Sequence, residues 1–139
     1  MGFRFRKRIK LAPGVKLNVA ILLFLAGCAI QPVDPAILAA SKEPLTCANK
    51  EECDFYWQRA QAYVSKNSTY RIQSVSDTVL TTDGPIYGSA ENAYHLIKVP
   101  NADGSATIEV QIACDNPFGC HPDRTVEAIN LKRFVRESK

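Results

Sequence analysis

The sequence lacks the short motifs that mark the common hydrolases and nucleotide-binding enzymes. It contains no Gly-x-Ser-x-Gly, no His-Glu-x-x-His and no glycine-rich phosphate-binding loop. Histidine is scarce, since only His95 and His121 occur. Asp115 and Asp123 lie close to His121 in the chain, so a small acid–base site remains an open alternative. We expect a protein that is not an enzyme and that binds no cofactor.

Long apolar runs are also missing. The run Val19–Ala26 has eight residues, whereas a transmembrane helix needs about 20. Basic residues precede the run and small residues follow it, which is the order found in a secretory signal peptide. We therefore predict that residues 1–27 are a cleaved leader rather than an uncleaved anchor or a buried helix.

Positive charge is scarce beyond that leader. Six of the 17 basic residues lie in residues 1–27, which hold no acid, so residues 28–139 hold 11 basic residues and all 14 acidic ones. The formal charge of +3 thus belongs to the leader, and the remainder is slightly acidic. This balance argues against nucleic acid as a partner.

The apolar run closes with Leu25-Ala26-Gly27-Cys28. This tetrapeptide resembles the lipobox of bacterial lipoproteins. The resemblance implies that lipid is attached to Cys28, that the chain is cut before it, and that the lipid contacts the membrane. Ala29 stands where an Asp would imply retention at the inner membrane, so the resemblance implies the outer membrane, on its periplasmic side.

The first 19 residues also resemble the opening of a small bacterial domain family of unknown function. The resemblance ends where the apolar run begins, so it implies no function for this chain. A translation start at Val15 is an alternative that would leave a shorter leader with Lys16 as its positive charge.

Prolines interrupt the stretch that follows Cys28. Pro32, Pro35 and Pro44 disfavour regular helices and strands. We predict that residues 28–46 form a flexible tether between the lipid and a folded domain at residues 47–139. A single helical turn over Ile37–Ala40, packed on the domain, is the alternative.

Four cysteines remain besides Cys28, an even number that suits an oxidising compartment. They allow three pairings. Five residues separate Cys47 from Cys53, and five separate Cys114 from Cys120, and we favour these two local disulfides because each would fix a loop that leads into a helix. A zinc site would need closer cysteine spacing, and no Cys-x-x-Cys redox pair occurs. We expect no metal.

Periodicity predicts a helix over residues 50–66. Asn49 and Glu52 have the spacing of a capping box. The apolar side chains of this segment recur every three or four residues and include Trp57. A packed core face is the first interpretation of Trp57, and an aromatic platform for a ligand is the alternative.

The rest of the domain is predicted to be mostly extended. Residues 69–82 form one strand with a bulge or bend near Ser74–Ser76, residues 93–99 and 106–114 form an antiparallel hairpin, and residues 123–136 form a second helix. The order α-β-β-β-α predicts an α+β fold: a three-stranded antiparallel sheet with both helices on one face, stapled by disulfides.

Residues 47–139 are also similar to small, poorly characterised proteobacterial lipoproteins. The shared features are Cys47-x5-Cys53, the helix that carries Trp57, and the segment from Cys114 to Pro122. This resemblance implies a fold and no activity. We expect a non-catalytic binding or structural module with an unidentified protein or envelope partner. The alternative is an inhibitor or immunity-type protein against a periplasmic hydrolase.

Two exposed loops, residues 83–92 and 115–122, are the candidate partner-binding segments. The residues singled out in them are Tyr87, Asn116, Phe118 and His121.

Overall fold

The computed structural model describes residues 33–137 of the chain. The predicted signal peptide, the lipidation site at Cys28 and the start of the tether lie outside the described residues. In chain order the elements are α1 (Pro35–Lys42), β1 (Leu45–Cys47), α2 (Lys50–Asn67), β2 (Ile72–Val75), β3 (Val79–Thr82), β4 (Ala93–Pro100), β5 (Ala106–Ala113) and α3 (Arg124–Arg136).

The strands form a five-stranded sheet in the order β1-β5-β4-β3-β2, with every neighbouring pair antiparallel. The two longer helices, α2 and α3, cover one face of this sheet. The main apolar cluster of the core lies between them, and in it Leu45, Leu80, Leu96 and Ile108 of the sheet meet Trp57, Ala60, Val64, Leu131 and Val135 of the helices. The predicted α+β class, the antiparallel sheet and the presence of disulfides are therefore confirmed. The prediction of three strands and two helices is matched only in part, because the sheet has five strands and there is a third helix, α1.

The first correction concerns the stretch expected to be a tether. From Pro35 onward it is folded: α1 begins behind Asp34, whose carboxylate accepts a hydrogen bond from the Ala36 N–H at 2.8 Å. Pro35 suits this position because the first helical residue needs no N–H. After α1, Leu45 pairs with Ile108 in β5 and is fully buried. Residues 35–46 thus belong to the folded domain.

The second correction concerns residues 69–82, which form two strands and not one. The turn between them is built on Ser76, whose hydroxyl oxygen accepts hydrogen bonds from the N–H groups of Thr78 and Val79. The Ser76 N–H in turn donates to the Val79 carbonyl at 2.8 Å. The bend predicted near Ser74–Ser76 is therefore a hairpin turn, while a separate bulge lies between Ile72 and Ser74.

The predicted helices and hairpin correspond closely to the observed elements. Asn49 caps α2 by accepting from the Glu52 N–H at 3.0 Å, and the Glu52 carboxylate returns to accept from the Ala48 N–H at 2.6 Å. Asp123 caps α3 in the same way, with its Oδ1 2.8 Å from the Thr125 nitrogen. β4 and β5 pair from Ala93–Ala113 to Pro100–Ala106, as the hairpin prediction requires.

Both disulfides join cysteines six positions apart in the sequence. Cys47 is bonded to Cys53 and Cys114 to Cys120, the local pairing that the equal spacing predicted. The first disulfide ties β1 to the beginning of α2 and is buried. The second closes the loop between β5 and α3, which belongs to the site described next.

Candidate partner-binding site

Sheet topology brings the two candidate loops to the same end of the domain. The chain leaves β3 after Thr82 and enters β4 at Ala93, and it leaves β5 after Ala113. Because β3 pairs with β4 and Ala93 lies opposite Ala113, these three strand ends are adjacent. The loop over residues 83–92 therefore lies next to the loop over residues 115–122, although the whole of β4 and β5 separates them in the sequence.

Backbone groups lock the two loops to each other. The Gly88 N–H donates to the Asp115 carbonyl at 2.6 Å, and the His121 N–H donates to the Ala90 carbonyl at 2.8 Å. The Asn116 side-chain amide donates to the Gly88 carbonyl at 2.7 Å. These bonds satisfy loop backbone groups that would otherwise depend on water, so the pair of loops behaves as one unit.

Each loop is also fixed from within. In the first, the Tyr70 ring lies against Gly84, where an added Cβ would meet ring carbons at 2.9 Å, and the Tyr70 hydroxyl accepts from the Ile86 N–H at 3.2 Å. In the second, the Cys114–Cys120 disulfide closes the loop, and Asn116 Oδ1 accepts from the Phe118 N–H at 2.9 Å. Both loops therefore hold their tips in defined positions.

The tips carry large apolar side chains that face solvent. Phe118 is 97% exposed, Tyr87 is 92% exposed and Ile86 is 61% exposed. We call these three side chains, with the loops at residues 83–92 and 115–122 that carry them, the two-loop surface. A folded protein leaves few aromatic rings in water to this degree, and aromatic side chains dominate the binding energy of protein interfaces.

Both loops carry or adjoin carboxylates. Glu91, Asp115 and Asp123 take part in none of the ion pairs between described residues, while Asp83 pairs with Arg71 at 3.4 Å. No Lys or Arg occurs within either loop. The two-loop surface therefore combines an apolar tip with a rim that carries negative charge.

A buried carboxylate lies at the base of the loops. Glu127, in the first turn of α3, is 4% exposed, and its Oε1 accepts hydrogen bonds from the hydroxyls of Tyr63 and Tyr94, each at 2.8 Å. Burial, together with the hydrogen bond to Glu127, raises the pKa of the Tyr63 and Tyr94 hydroxyls. This cluster joins α2, β4 and α3 directly behind the two-loop surface. The sequence alone does not indicate this cluster, because an acidic residue is normally expected on the exposed side of a helix.

A cavity of about 110 Å³ opens beside this carboxylate. We call it the carboxylate cavity. It is lined by Asn67, Glu91, Asn92, Tyr94, His121, Pro122 and Glu127. Asn92 is 4% exposed, and its amide donates to the Pro122 carbonyl at 2.8 Å, but its Oδ1 has no hydrogen-bond partner.

The residues of the alternative acid–base site make separate contacts. Asp123 serves as the cap of α3, and Asp115 contacts the other loop through its backbone carbonyl. Within residues 33–137, no hydrogen bond or ion pair connects the side chains of His121, Asp115 and Asp123. His95 lies elsewhere, in β4, with its Nδ1 2.9 Å from the Thr81 hydroxyl.

A larger groove of about 610 Å³ lies at the opposite end of the sheet. Trp57 lines it but is 4% exposed, and its Nε1 donates to the Ser76 carbonyl at 2.9 Å, so the indole is a core side chain. The Lys98 ammonium lies 5.6 Å from the centre of the indole ring and 3.6 Å from Asp54. Asp54 also accepts from Lys50, whose hydrogen bond lowers the pKa of the Asp54 carboxyl. These charges are mutually compensated, which disfavours the groove as a site for an ion.

Two further properties concern the described part of the chain as a whole. No helix within residues 33–137 is long and apolar enough to cross a membrane. In the same range, no three His, Cys, Asp or Glu side chains are grouped closely enough to hold a metal ion.

Comparisons of the chain with models of protein families, with curated proteins and with solved structures give no match.

Proposed function

We propose that the protein is a non-catalytic binding module of the bacterial cell envelope that docks a partner protein through the two-loop surface. The observation that carries this proposal is the near-complete exposure of Tyr87 and Phe118 on loops that are fixed to each other. A lipid on Cys28 holds the module at the outer membrane, on the periplasmic side, in keeping with the lipobox resemblance.

Rigid loops favour binding for a physical reason. Association costs conformational entropy for every segment that must become ordered. Here the hydrogen bonds between the loops and the Cys114–Cys120 disulfide fix the backbone before any partner arrives. Tyr and Phe rings also lose few rotamers on burial, so their apolar area contributes most of its transfer free energy to the complex.

The charge around the tips favours a protein over a lipid surface. Anionic headgroups attract Lys and Arg, and neither residue occurs within the loops. Glu91, Asp115 and Asp123 instead suit a partner with an apolar recess and basic side chains at its edge.

Removal of the two exposed rings is expected to abolish partner binding without loss of the fold. In Tyr87→Ala/Phe118→Ala, capture of the partner from chemically crosslinked intact cells falls at least tenfold, because each ring is expected to contribute about 1–3 kcal/mol of binding free energy. The free energy of unfolding changes by about 0.5 kcal/mol or less, since the rings touch water rather than core.

Phe55→Ala is the matched control, because Phe55 is 41% exposed on α2 and lies outside both loops. It should retain full capture. Equal recovery of the partner by the double variant and by Phe55→Ala would refute docking through the two-loop surface, and binding to phospholipid vesicles that is lost in the double variant would indicate a membrane contact instead.

A second candidate function is inhibition of a periplasmic hydrolase. The specific observation is the loop closed by the Cys114–Cys120 disulfide, which holds Phe118 at an exposed tip, an arrangement that can enter an enzyme cleft. The identity of the captured partner distinguishes inhibition of a hydrolase from docking alone. If it is a hydrolase whose turnover falls when the wild-type protein is added and not when the double variant is added, inhibition is the function.

The anchor is tested by Cys28→Ala. Without the thiol no thioether to lipid can form, so we expect an unprocessed precursor that incorporates no labelled palmitate, while wild type is shortened and labelled. Gel mobility and fatty-acid labelling in a bacterial host measure both. Normal processing and labelling of Cys28→Ala would contradict the lipoprotein proposal.

A further inference from the structure

We infer that the carboxylate cavity is a binding pocket for an alkylammonium group, and that the partner docked on the two-loop surface inserts a lysine side chain into it. The inference deepens the proposed function and rests on it for the claim that the ammonium group belongs to a docked partner protein.

The cavity wall presents acceptors that lack donors. Glu127 uses Oε1 for both tyrosine hydroxyls, and no described residue donates to its Oε2. Asn92 Oδ1 is buried without a partner. Glu91, also in the wall, accepts from the Thr69 hydroxyl through one oxygen only. A primary ammonium group has three N–H donors and no acceptor, which complements this set.

The cavity also holds uncompensated charge. None of the ion pairs between described residues includes Glu127 or Glu91. A buried carboxylate is costly unless a cation or several hydrogen bonds face it. The two tyrosine hydroxyls and the amino-terminal end of α3 stabilise the charge of Glu127 in part, and a cation in the cavity would complete this compensation.

Size and position fit a side chain that arrives from a partner. A volume of about 110 Å³ matches the end of one lysine side chain, or on the order of three water molecules. His121 and Pro122 form part of the cavity wall and also belong to the two-loop surface, so a protein seated on the tips would lie over the opening. The charged or titratable side chains in the wall are Glu91, Tyr94, His121 and Glu127.

The pocket can be tested without the partner. We would titrate the full chain with n-butylammonium chloride at constant ionic strength and follow the Asn92 side-chain amide by NMR. Saturable shifts are expected with n-butylammonium and not with tetramethylammonium, which has the same charge but no N–H donor and is wider. Shifts that never saturate, or equal responses to the two cations, would overturn the pocket.

Substitutions of the cavity residues test whether n-butylammonium binds in the carboxylate cavity. Glu127→Gln keeps an oxygen for the tyrosine hydroxyls but removes the charge, and affinity should fall at least tenfold. Glu91→Gln, on an exposed residue that does not endanger folding, should weaken binding several-fold. Glu109→Gln is the matched control, because Glu109 is exposed in β5 away from the cavity. Wild-type affinity in both cavity variants would refute the assignment.

The same variants link the pocket to the partner. Glu127→Gln should also lower capture of the partner in cells, whereas Glu109→Gln should not. If n-butylammonium gives no saturable shift while the wild-type protein still captures a partner through Tyr87 and Phe118, the pocket is refuted and docking on the two-loop surface stands. If n-butylammonium gives saturable shifts but the wild-type protein captures no partner in cells, the pocket stands and the proposed docking is refuted.

Discussion

Replacement of Glu127 by alanine is expected to lower the free energy of unfolding by about 3 kcal/mol, because it leaves the hydroxyls of Tyr63 and Tyr94 without an acceptor in the protein interior. Both hydroxyls belong to buried side chains, with Tyr63 8% exposed and Tyr94 3% exposed. The cluster connects α2, β4 and α3, so its loss weakens the contacts between both helices and the sheet.

Two companion variants separate hydrogen bonding from charge. Glu127→Gln retains an acceptor oxygen and should lose about 1 kcal/mol, the difference between a charge-assisted and a neutral hydrogen bond. Glu109→Ala, at an exposed position of β5, should change stability by about 0.5 kcal/mol or less. Urea unfolding with a common m-value measures all three. A loss below about 1 kcal/mol for Glu127→Ala would show that the cluster contributes little to the fold.

The same cluster is expected to make the protein unfold in alkali. Burial and the Glu127 hydrogen bond raise the pKa of Tyr63 and Tyr94 above the ordinary tyrosine value of 10.0. The folded state therefore keeps protons that the unfolded chain releases. The stabilisation is fully present below pH 10 and is lost as the pH rises above it, at about 1.4 kcal/mol per pH unit for each hydroxyl that stays protonated.

Tyrosine absorbance at 295 nm and circular dichroism, recorded together from pH 9 to 12.5, measure this effect. Part of the ionisation of the five tyrosines should coincide with loss of the folded signal. Tyr63→Phe and Tyr94→Phe should each reduce the pH dependence of stability above pH 10. Burial lowers the pKa of Lys132, which acts in the opposite direction, so variants are compared at the same pH. Complete ionisation with an intact folded signal would contradict the cluster's geometry.

Local signals predicted the elements that depend on local chemistry. The capping residues Asn49 and Asp123 mark the starts of α2 and α3, and alternation over residues 106–113 marks β5. The disulfide pairing also follows from spacing within short segments. In each case the interacting groups are close in sequence, so the local sequence pattern is sufficient to predict the element.

Elements that depend on distant partners could not be read in this way. β1 is three residues long, and only its pairing with β5 makes it a strand. α1 is held by Lys132, whose ammonium donates to the carbonyls of Ser41 at 2.6 Å and Glu43 at 2.7 Å. The burial of Lys132 and Glu127 in α3 likewise depends on groups more than 30 residues away, so the local sequence pattern does not indicate it.

The candidate site likewise combines features set by neighbouring residues with features set by residues distant in the sequence. Exposure of Tyr87 and Phe118 could be predicted, because turn-forming residues surround them. Their joint presentation could not, since it arises from hydrogen bonds such as Gly88 to Asp115 between loops far apart in the chain. The carboxylate cavity was missed altogether, because Asn92 and Glu127 become neighbours only after the sheet and α3 have packed together.

The central claim is that a partner protein sits on the two-loop surface. Its most direct test is site-specific photocrosslinking in intact cells, with p-benzoylphenylalanine in place of Phe118 or, as a control, in place of Val75, which is 53% exposed in β2. We predict a discrete crosslinked protein from position 118 and none from position 75. No crosslinked species from position 118, or the same species from both positions, would contradict the account.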